Sequence, residues 1–396
     1  MVFISGLTEN ETNIIIDFLN KTKEREIVLV NQDSGYLMID IANAYVDNGF
    51  SVSLITGRLV QRNIPLHYSI KISKIICYDR SSTFKRVFTW SLATLQILFL
   101  IWFKYRNKHL MIVSNPPFAP LIPLVVKNRF SLLIYDVYPN ALVEYNILKE
   151  KSFLIRKWKE SNRIIFKKAL KIFTISEGMK NVLTQYVEPN KIKVIPIWTD
   201  NTFLKPIAKE NNPFIIEQGL EDKFIIMYSG NLGKTHNIEV MIELAEELSE
   251  QPYFFIIIGG GEQYGSIKKI IEYKELKNIM LLPWQPTEIL PFTLAAADIG
   301  VVSLGLEASN LSIPSKTYNL MSVGIPILSI ADPNSELAKL VESKELGKNF
   351  KNNQISEMKN FIKLLNKDKV KMDLYIESSL LSSKSFDPKN AYKFID

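Results

Sequence analysis

Ser312-Ile-Pro-Ser-Lys-Thr-Tyr-Asn-Leu-Met-Ser-Val-Gly-Ile-Pro326 holds a helix start, a helix stop and the entrance to a strand. Pro314 and Ser315 predict the start. Serine oxygen accepts from the free N–H groups of a first turn, and proline has no N–H to lose there. The helix is expected to run through Tyr318, Leu320 and Met321. Gly324 stops it, and Pro326 opens the apolar run Ile327–Ile330, which reads as a buried strand. A helix N-terminus presents unpaired donors and partial positive charge. Lys316 in the first turn is unfavourable there unless an anion shares the site, which suggests a phosphate or diphosphate. Asn319 lies one turn on, on the side of Ser315 and Lys316, where its amide could reach a ligand hydroxyl. The plainer reading is a capped helix with a solvated lysine, and these residues alone favour it.

Working outward, the same alternation recurs upstream. Ile225–Tyr228 reads as a strand, followed by the loop Ser229-Gly230-Asn231-Leu232-Gly233-Lys234-Thr235-His236 and a helix over Ile238–Leu248. Phe254–Ile258 is a strand ending in Gly259-Gly260-Gly261, with a helix over Glu262–Tyr273. Ile279–Leu282 leads into Pro283-Trp284-Gln285-Pro286, and Ile299–Ser303 is a further strand. Each glycine loop stands between a strand and a helix, where backbone can approach a phosphate closely. Either loop alone is weak. Two of them together with the Pro314–Lys316 helix start, at the C-terminal edges of one sheet, are much stronger.

The first half has its own set. Ile27–Val30, the turn Gln32–Gly35, a helix over Met38–Val46 and a strand over Ser51–Thr56 form a βαβ unit without G-x-G-x-x-G, which argues against a dinucleotide cofactor. Strands follow at Lys74–Cys77, Leu110–Ser114, Leu132–Tyr135, Ile172–Ile175 and Lys193–Ile195. Asn115-Pro116-Pro117 and Asp136-Val137-Tyr138-Pro139 sit at strand ends. Asp136 is therefore a candidate site residue, and a carboxylate that merely caps the next helix is the equal alternative. Little periodicity over 198–222, with Pro206 and Pro213, marks a linker. The fold class expected is α/β, two Rossmann-like doubly wound domains. The tail from Gln354 reads as helical, with a last short helix after Asp387-Pro388. Asn13–Leu19 is a short apolar segment without an assigned role.

The totals agree with a well-cored globular chain: 396 residues, 47% hydrophobic and 22% charged. One cysteine, Cys77, excludes an internal disulfide, and residues 1–10 show no secretory signal. Charge is uneven. Residues 1–200 carry 27 Lys and Arg against 16 Asp and Glu, a net of +11, and every arginine. The remainder carries 21 against 25, a net of −4. The first half thus faces something anionic. No nucleic-acid-binding motif appears, so no nucleic acid is expected; an anionic membrane surface or a phosphorylated ligand fits better.

Val87–Phe103 is almost wholly apolar, with Gln96 interrupting it. Seventeen residues is the lower limit for a span, and spanning would part Leu110–Ser114 from the sheet it must join. A transmembrane helix is rejected. A core helix and a helix lying in the membrane interface remain. Lys85, Arg86, Lys104, Arg106 and Lys108 flank the run, and tryptophans favour lipid interfaces, so the interfacial reading is ahead. Lys149–Lys171, basic and amphipathic, is either a solvated face or a second patch for anionic lipid.

The ordered set of motifs is specific. Tyr228-Ser229-Gly230-Asn231-Leu232-Gly233, Gly259-Gly260-Gly261-Glu262, Ala296-Ala297-Asp298 and Pro314-Ser315-Lys316-Thr317-Tyr318 through Gly324-Ile325-Pro326 resemble successive blocks of the family-four glycosyltransferases of GT-B fold. Asp136–Pro139, Thr174–Met179 and Pro196-Ile197-Trp198-Thr199-Asp200 resemble the blocks of that family's first half. The subgroup nearest is the fucosamine-transferase-like one of bacterial O-antigen and capsule synthesis.

The resemblance implies two domains facing a cleft: 1–200 on the acceptor side and membrane-facing, 201–380 binding a nucleotide-sugar, and 381–396 returning to the first. It implies a UDP-linked donor. Lys316 and the Ser315 backbone would meet the diphosphate, with Thr317 beside them and Asn319 on the ribose. Gly230, Asn231, Gly233 and Lys234 would close over the phosphates, with Gly260 nearby, and the backbone near Trp284 and Gln285 would receive the base. A polyprenyl-diphosphate-linked glycan acceptor would enter near Asp136, Asn115 and Tyr138, with Asp136 and Lys316 the catalytic pair. The nucleotide-sugar is a co-substrate; no metal or other cofactor is implied, and transfer would retain configuration. The expected location is cytoplasmic, peripheral on the inner face of the cell membrane. One departure stands out. The family's Glu-x7-Glu falls on Leu311 and Asn319 here, and Glu307 stands twelve residues before Asn319. Two alternatives therefore accompany the leading one: a non-hydrolysing nucleotide-sugar epimerase of the same fold, and a catalytically silent partner in a glycan assembly complex.

Overall fold

The computed structural model describes residues 25–144, 148–233, 237–250, 252–305 and 313–395. Asn13–Leu19, Lys234, Glu307 and Leu311 lie outside them. The described chain forms two compact units. One runs through Ile175, resumes over Lys180–Ile195 and takes in the residues from Ala391; the other holds Ser176–Met179 and Pro196–Asn390. The division thus falls at Pro196 rather than after residue 200, and the return begins at Ala391 rather than 381.

Seven parallel strands build the first unit: β1 (Glu26–Val30), β2 (Ser51–Thr56), β3 (Lys71–Lys74), β4 (His109–Val113), β5 (Phe130–Ile134), β6 (Ile172–Thr174) and β7 (Ile192–Val194). Their order is β3-β2-β1-β4-β5-β6-β7. The switch point between β1 and β4 is where a doubly wound sheet opens a crevice at its C-terminal edge. β1, β4 and β5 are nearly unbroken apolar runs because helices cover both faces. The third strand sits earlier than the expected 74–77, because Lys71–Lys74 pairs in register with Ser53–Thr56.

Helix α1 spans Tyr36–Asp47, α2 Thr83–Phe103 and α3 Phe153–Lys168. Ser82 and Ser152 cap α2 and α3, each accepting from a backbone N–H three residues on. Only Thr89, Ala93, Ile97 and Ile101 of α2 are buried, one narrow stripe at four-residue spacing. Gln96 accepts from the backbone N–H of Ile76 at 2.7 Å. Gln32 donates to the carbonyls of Ile76 and Thr89, so α2 is tied to the sheet edge by polar groups. Phe84, Phe88, Phe99, Trp102 and Phe103 stay exposed, Phe103 at 74%. By length and composition alone α2 could cross a membrane; packed on the sheet in this way, it is neither a buried core helix nor a free span.

The second unit has six parallel strands: β8 (Phe224–Asn231), β9 (Tyr253–Gly260), β10 (Ile279–Leu282), β11 (Ile299–Ser303), β12 (Ile327–Ile330) and β13 (Gly347–Phe350). Their order, β10-β9-β8-β11-β12-β13, repeats the doubly wound pattern. β8 and β9 reach further than expected, because Gly230 pairs with Gly259 and Asn231 with Gly260. The first three residues of the expected first glycine loop, Ser229–Asn231, are therefore strand. A Cβ on Gly259 would lie 1.9 Å from the Gly230 carbonyl oxygen, so only glycine lets the ladder run to its end. The helices here are α4 (Glu239–Glu247), α5 (Tyr264–Tyr273), α6 (Ser315–Ser322), α7 (Glu336–Ser343), α8 (Ile355–Lys367) and α9 (Lys369–Ser383).

The segment expected to be a linker is partly helical. Asn212 accepts from Phe214 N and caps Pro213–Gln218, with proline in the first turn. At the chain end, α9 packs on α6 and α8, which keeps it in the second unit. Beyond it, Tyr45 donates to the Phe394 carbonyl, and the Phe394 ring packs against Phe173, within the first unit.

Candidate functional site

Helix α6 begins beside the C-terminal ends of β8 and β9. Pro314 occupies its N-cap position and Ser315 its first helical position, with no side-chain cap. The expected serine cap is thus absent: Thr317 N bonds the Pro314 carbonyl at 3.0 Å instead. Ser315 is exposed.

Lys316 is not a solvated lysine. Part of its stem reaches solvent, but Nζ is enclosed and has no hydrogen-bond partner among the described residues. It sits 3.6 Å from the Tyr228 ring centre. A Cβ on Gly230 would fall 2.6 Å from Nζ, so glycine is what admits the amine. Enclosure pushes the amine down to about 7. The Thr317 hydroxyl is also buried without a partner among the described residues. Two polar atoms left unsatisfied at one helix head, one of them against Gly230, are suited to an anionic ligand.

Around them, the Tyr228 hydroxyl donates to the Asn231 carbonyl at 2.8 Å and pins the end of β8. The exposed Trp284 indole lies over Gly260, with Nε1 2.8 Å from where a Cβ would stand. Gln285 turns back to the Pro283 carbonyl. Gly230, Asn231, Gly260, Trp284, Lys316 and Thr317 are thus gathered at one sheet edge. Gly233 stands two residues beyond the end of β8, and Lys234 is outside the described residues. The Asn319 oxygen accepts from the buried Thr199 hydroxyl at 2.7 Å, so a ligand at this position would meet the amide nitrogen. The Ala296–Asp298 block lies elsewhere. Asp298 accepts from Ile225 N and Lys209 Nζ at the start of β8, a structural latch at the opposite end of the strand.

In the first unit, the Ser114 hydroxyl accepts from Tyr135 N and Asp136 N at the exit of β5. Asp136 has no side-chain bond or ion pair among the described residues, which removes the capping alternative. Its carboxyl is raised above the usual carboxylate range by the surrounding protein, yet the residue is solvent-accessible. Asp136, Tyr138, Ser114, Trp158 and Asn162 line one recess. Asn162 holds the Tyr138 carbonyl at 2.7 Å. Asn115 lies at the β4 exit, its carbonyl accepting from Gln32 N. The peptide bonds Asn115–Pro116 and Tyr138–Pro139 are cis.

Two residues carry more than the sequence indicates. Tyr228, the end of a strand and the head of a family-like block in sequence, is the ring that encloses Lys316. Asp33, which holds both Arg58 and Arg80, was read only as part of a turn. Nothing in the local sequence marks either role; long-range pairing brings them to the edge.

Residues 209–379 match the family model described as Glycosyl transferases group 1. Three curated relatives are similar. A probable glycosyltransferase, WbjE of Pseudomonas aeruginosa, is 26% identical over 231 residues, 58% of each chain. The putative colanic acid biosynthesis glycosyl transferase WcaI of Escherichia coli is 30% identical over 175 residues, 43% of each. A chitobiosyldiphosphodolichol beta-mannosyltransferase of Candida albicans is 24% identical over 277 residues, 64% of this chain and 59% of the relative. The chain therefore spans about half the length of these relatives. Among solved structures, sucrose-phosphate synthase of Thermosynechococcus elongatus superposes with a TM-score of 0.71 at 13% identity, over 94% of this chain and 97% of that one. Anabaena HepE in complex with UDP-glucose gives 0.67 at 14% identity, over 93% and 98%. Residues 209–379 thus carry the pattern of the group 1 glycosyl transferases, on a chain whose two Rossmann-like units have the GT-B fold.

Proposed function

We propose that this protein is a glycosyltransferase of bacterial surface polysaccharide synthesis. It moves a hexosyl or N-acetylhexosaminyl group from a UDP-linked sugar to a saccharide carried on a polyprenyl diphosphate. The observation that carries the reading is the enclosed, unpartnered Lys316 amine at the head of α6, set against Gly230 and Tyr228. The names of WbjE and WcaI support the pathway class, HepE the UDP donor, and the dolichol-linked enzyme the lipid diphosphate acceptor. The fucosamine-transferase-like subgroup belongs to this same proposal.

In this reading an acceptor hydroxyl oxygen bonds the anomeric carbon. The bond from that carbon to the β-phosphate oxygen breaks, and its electron pair leaves with UDP. Lys316 and the α6 backbone donors neutralise the charge that gathers on the leaving diphosphate, so the step is written without a resident metal. Asp136, accessible and unpaired, orients the acceptor hydroxyl. Its proton passes to the departing phosphate oxygen, which gives retention. We place the enzyme on the cytoplasmic face of the membrane, held by the exposed aromatic row of α2 and by Phe153 and Leu154 of α3. The 3-10 helix Ala119–Leu124 packs against both helices. Arg106 and Lys127 lie beside Trp102, Phe103 and Val125.

The test is incubation of the full chain with labelled nucleotide-sugars and a lipid-linked saccharide. Transfer supports the proposal. A rearranged free donor points to an epimerase. Protein that is inert across the donor panel but binds a partner transferase points to the silent role.

A further inference from the structure

The first turns of α2 hold a second set of unsatisfied donors, far in sequence from Lys316. The Arg86 Nε and the Trp90 indole Nε1 are both buried without a hydrogen-bond partner among the described residues. They stand one turn apart on one helix. Two nearby carboxylates are already engaged. Asp33 is shared by Arg58 and Arg80, and Asp79 faces Lys85. Arg86 alone of this group has no ion pair among the described residues.

The surroundings say what would satisfy them. The Trp90 ring stacks on Tyr78 at 5.6 Å and meets Tyr138 edge-on at 6.5 Å; Tyr138 stacks on Trp158 at 6.2 Å. This aromatic row runs from α2 to the recess that holds Asp136. The Arg80 guanidinium stands over the Tyr78 ring, 5.0 Å from its centre, and Arg86 and Asp136 both lie near enough for their charges to act on the Tyr78 hydroxyl. Other positions of α2 are apolar and exposed: Phe84, Val87 and Phe88 in the same turns as Arg86, and Phe99, Trp102 and Phe103 further on. Gln32, Thr89 and Gln96 fix α2 on the sheet edge, so the helix that carries Arg86 and Trp90 is tethered.

We propose that Arg86 and the Trp90 indole N–H form a phosphate subsite for the diphosphate of a prenyl-linked acceptor, whose chain lies along the exposed apolar face of α2. The ligand class is a prenyl diphosphate ester. A guanidinium edge and an indole N–H supply donors only, which suits phosphate oxygens and excludes a cation. The apolar face adjoining them suits the hydrocarbon, and the aromatic row suits the pyranose rings of a saccharide carried toward Asp136. This deepens the proposed function and rests on it for the identity of the acceptor, but not for the binding itself.

The experiment measures binding of farnesyl diphosphate, carried in neutral phosphatidylcholine vesicles, to the full chain. The same vesicles without it, vesicles containing phosphatidylglycerol, and UDP serve as comparisons. Arg86→Gln is expected to weaken farnesyl diphosphate binding at least tenfold while UDP binding is unchanged. Trp90→Phe keeps the ring on Tyr78, removes only the N–H, and is expected to weaken binding severalfold. Unchanged UDP binding and an unchanged melting temperature show that each variant folds. Equal binding by wild type and Arg86→Gln overturns the proposal. So does an equal loss on phosphatidylglycerol vesicles, which makes Arg86 a general membrane contact. Arg86-dependent prenyl diphosphate binding without transfer from any donor leaves the subsite standing and removes the glycosyltransferase reading. Transfer with Arg86-independent binding does the reverse.

Discussion

Replacing Lys316 with methionine should make the free protein more stable and cost it its donor. The amine is enclosed and lacks a hydrogen-bond partner among the described residues. A buried polar group left unsatisfied costs ~1–3 kcal/mol. Methionine keeps the length of the stem and its contact with the Tyr228 ring while removing that cost. For a unit of this size 1 kcal/mol is worth ~2–4 °C, so the ligand-free variant should melt roughly 2–12 °C higher. A charge-assisted contact with phosphate contributes ~1.5–3 kcal/mol, so UDP affinity should fall roughly 10- to 150-fold. Differential scanning calorimetry with and without UDP reads both quantities: the wild type gains melting temperature on adding UDP, and the variant gains less at the same UDP concentration.

Burial lowers the amine from 10.5 to about 7. Between those values the unfolded chain binds more protons than the folded one, so folded stability rises with pH across that window. Lys316→Met should flatten the rise. Phosphate selects the ammonium form, so above about pH 7 UDP binding takes up a proton and weakens as pH increases. A Lys316→Met protein that melts below wild type and binds UDP as well as wild type would refute the whole argument.

Gly230→Ala places a methyl group 2.6 Å from the Lys316 Nζ; it should weaken UDP binding with little loss of fold, since Gly230 is not in the left-handed region. Asn319→Ala breaks the bond to Thr199 and should lower stability by about 1 kcal/mol while raising the donor KM. Asn319→Glu, which still offers an oxygen to Thr199, should retain most of both, and a Glu variant as impaired as the Ala variant removes the shared acceptor role. Charge reversal at Lys85, Lys104 and Arg106 should release the protein from phosphatidylglycerol vesicles in sedimentation. The exposed aromatic face of α2 should leave part of the wild-type binding resistant to high salt, and full release of wild type by salt would count against that face.

The second unit was legible because its site is built from backbone. Gly230, Gly259 and Gly260 stand at strand ends where side chains are forbidden by the next strand, by Lys316 or by Trp284. Such prohibitions leave a local trace in sequence, and strand periodicity supplies the rest. The strand limits were misjudged at the same place and for the same reason. Glycine reads as a loop residue, yet here Gly230 and Gly259 extend a ladder by letting two backbones meet. Lys316 was legible as a first-turn cation but not as an enclosed one, because enclosure comes from Tyr228, eighty-eight residues earlier in the chain.

The first unit was legible as a sheet and opaque as a site, for the opposite physical reason. Its candidate groups are side chains from different elements: Asp136 from the β5 exit, Tyr78 from beyond β3, Arg86 and Trp90 from α2, Trp158 from α3. No spacing rule relates residues that meet only through tertiary packing. Gln96 shows how the same stretch can mislead. As a polar residue in an apolar run it read as an interruption, whereas it bonds Ile76 N at 2.7 Å and secures α2 to the sheet edge. With Thr89 and Gln32 it explains why a helix apolar enough to enter lipid lies on the protein with its aromatic row outward. The same tethers hold Arg86 and Trp90 at the crevice edge. A membrane-facing surface and an anion subsite on one fixed helix would let a lipid-borne diphosphate be recognised without its chain leaving the bilayer. That coupling is the physical reason to test the exposed face and the unpaired guanidinium of α2 in the same vesicle experiment.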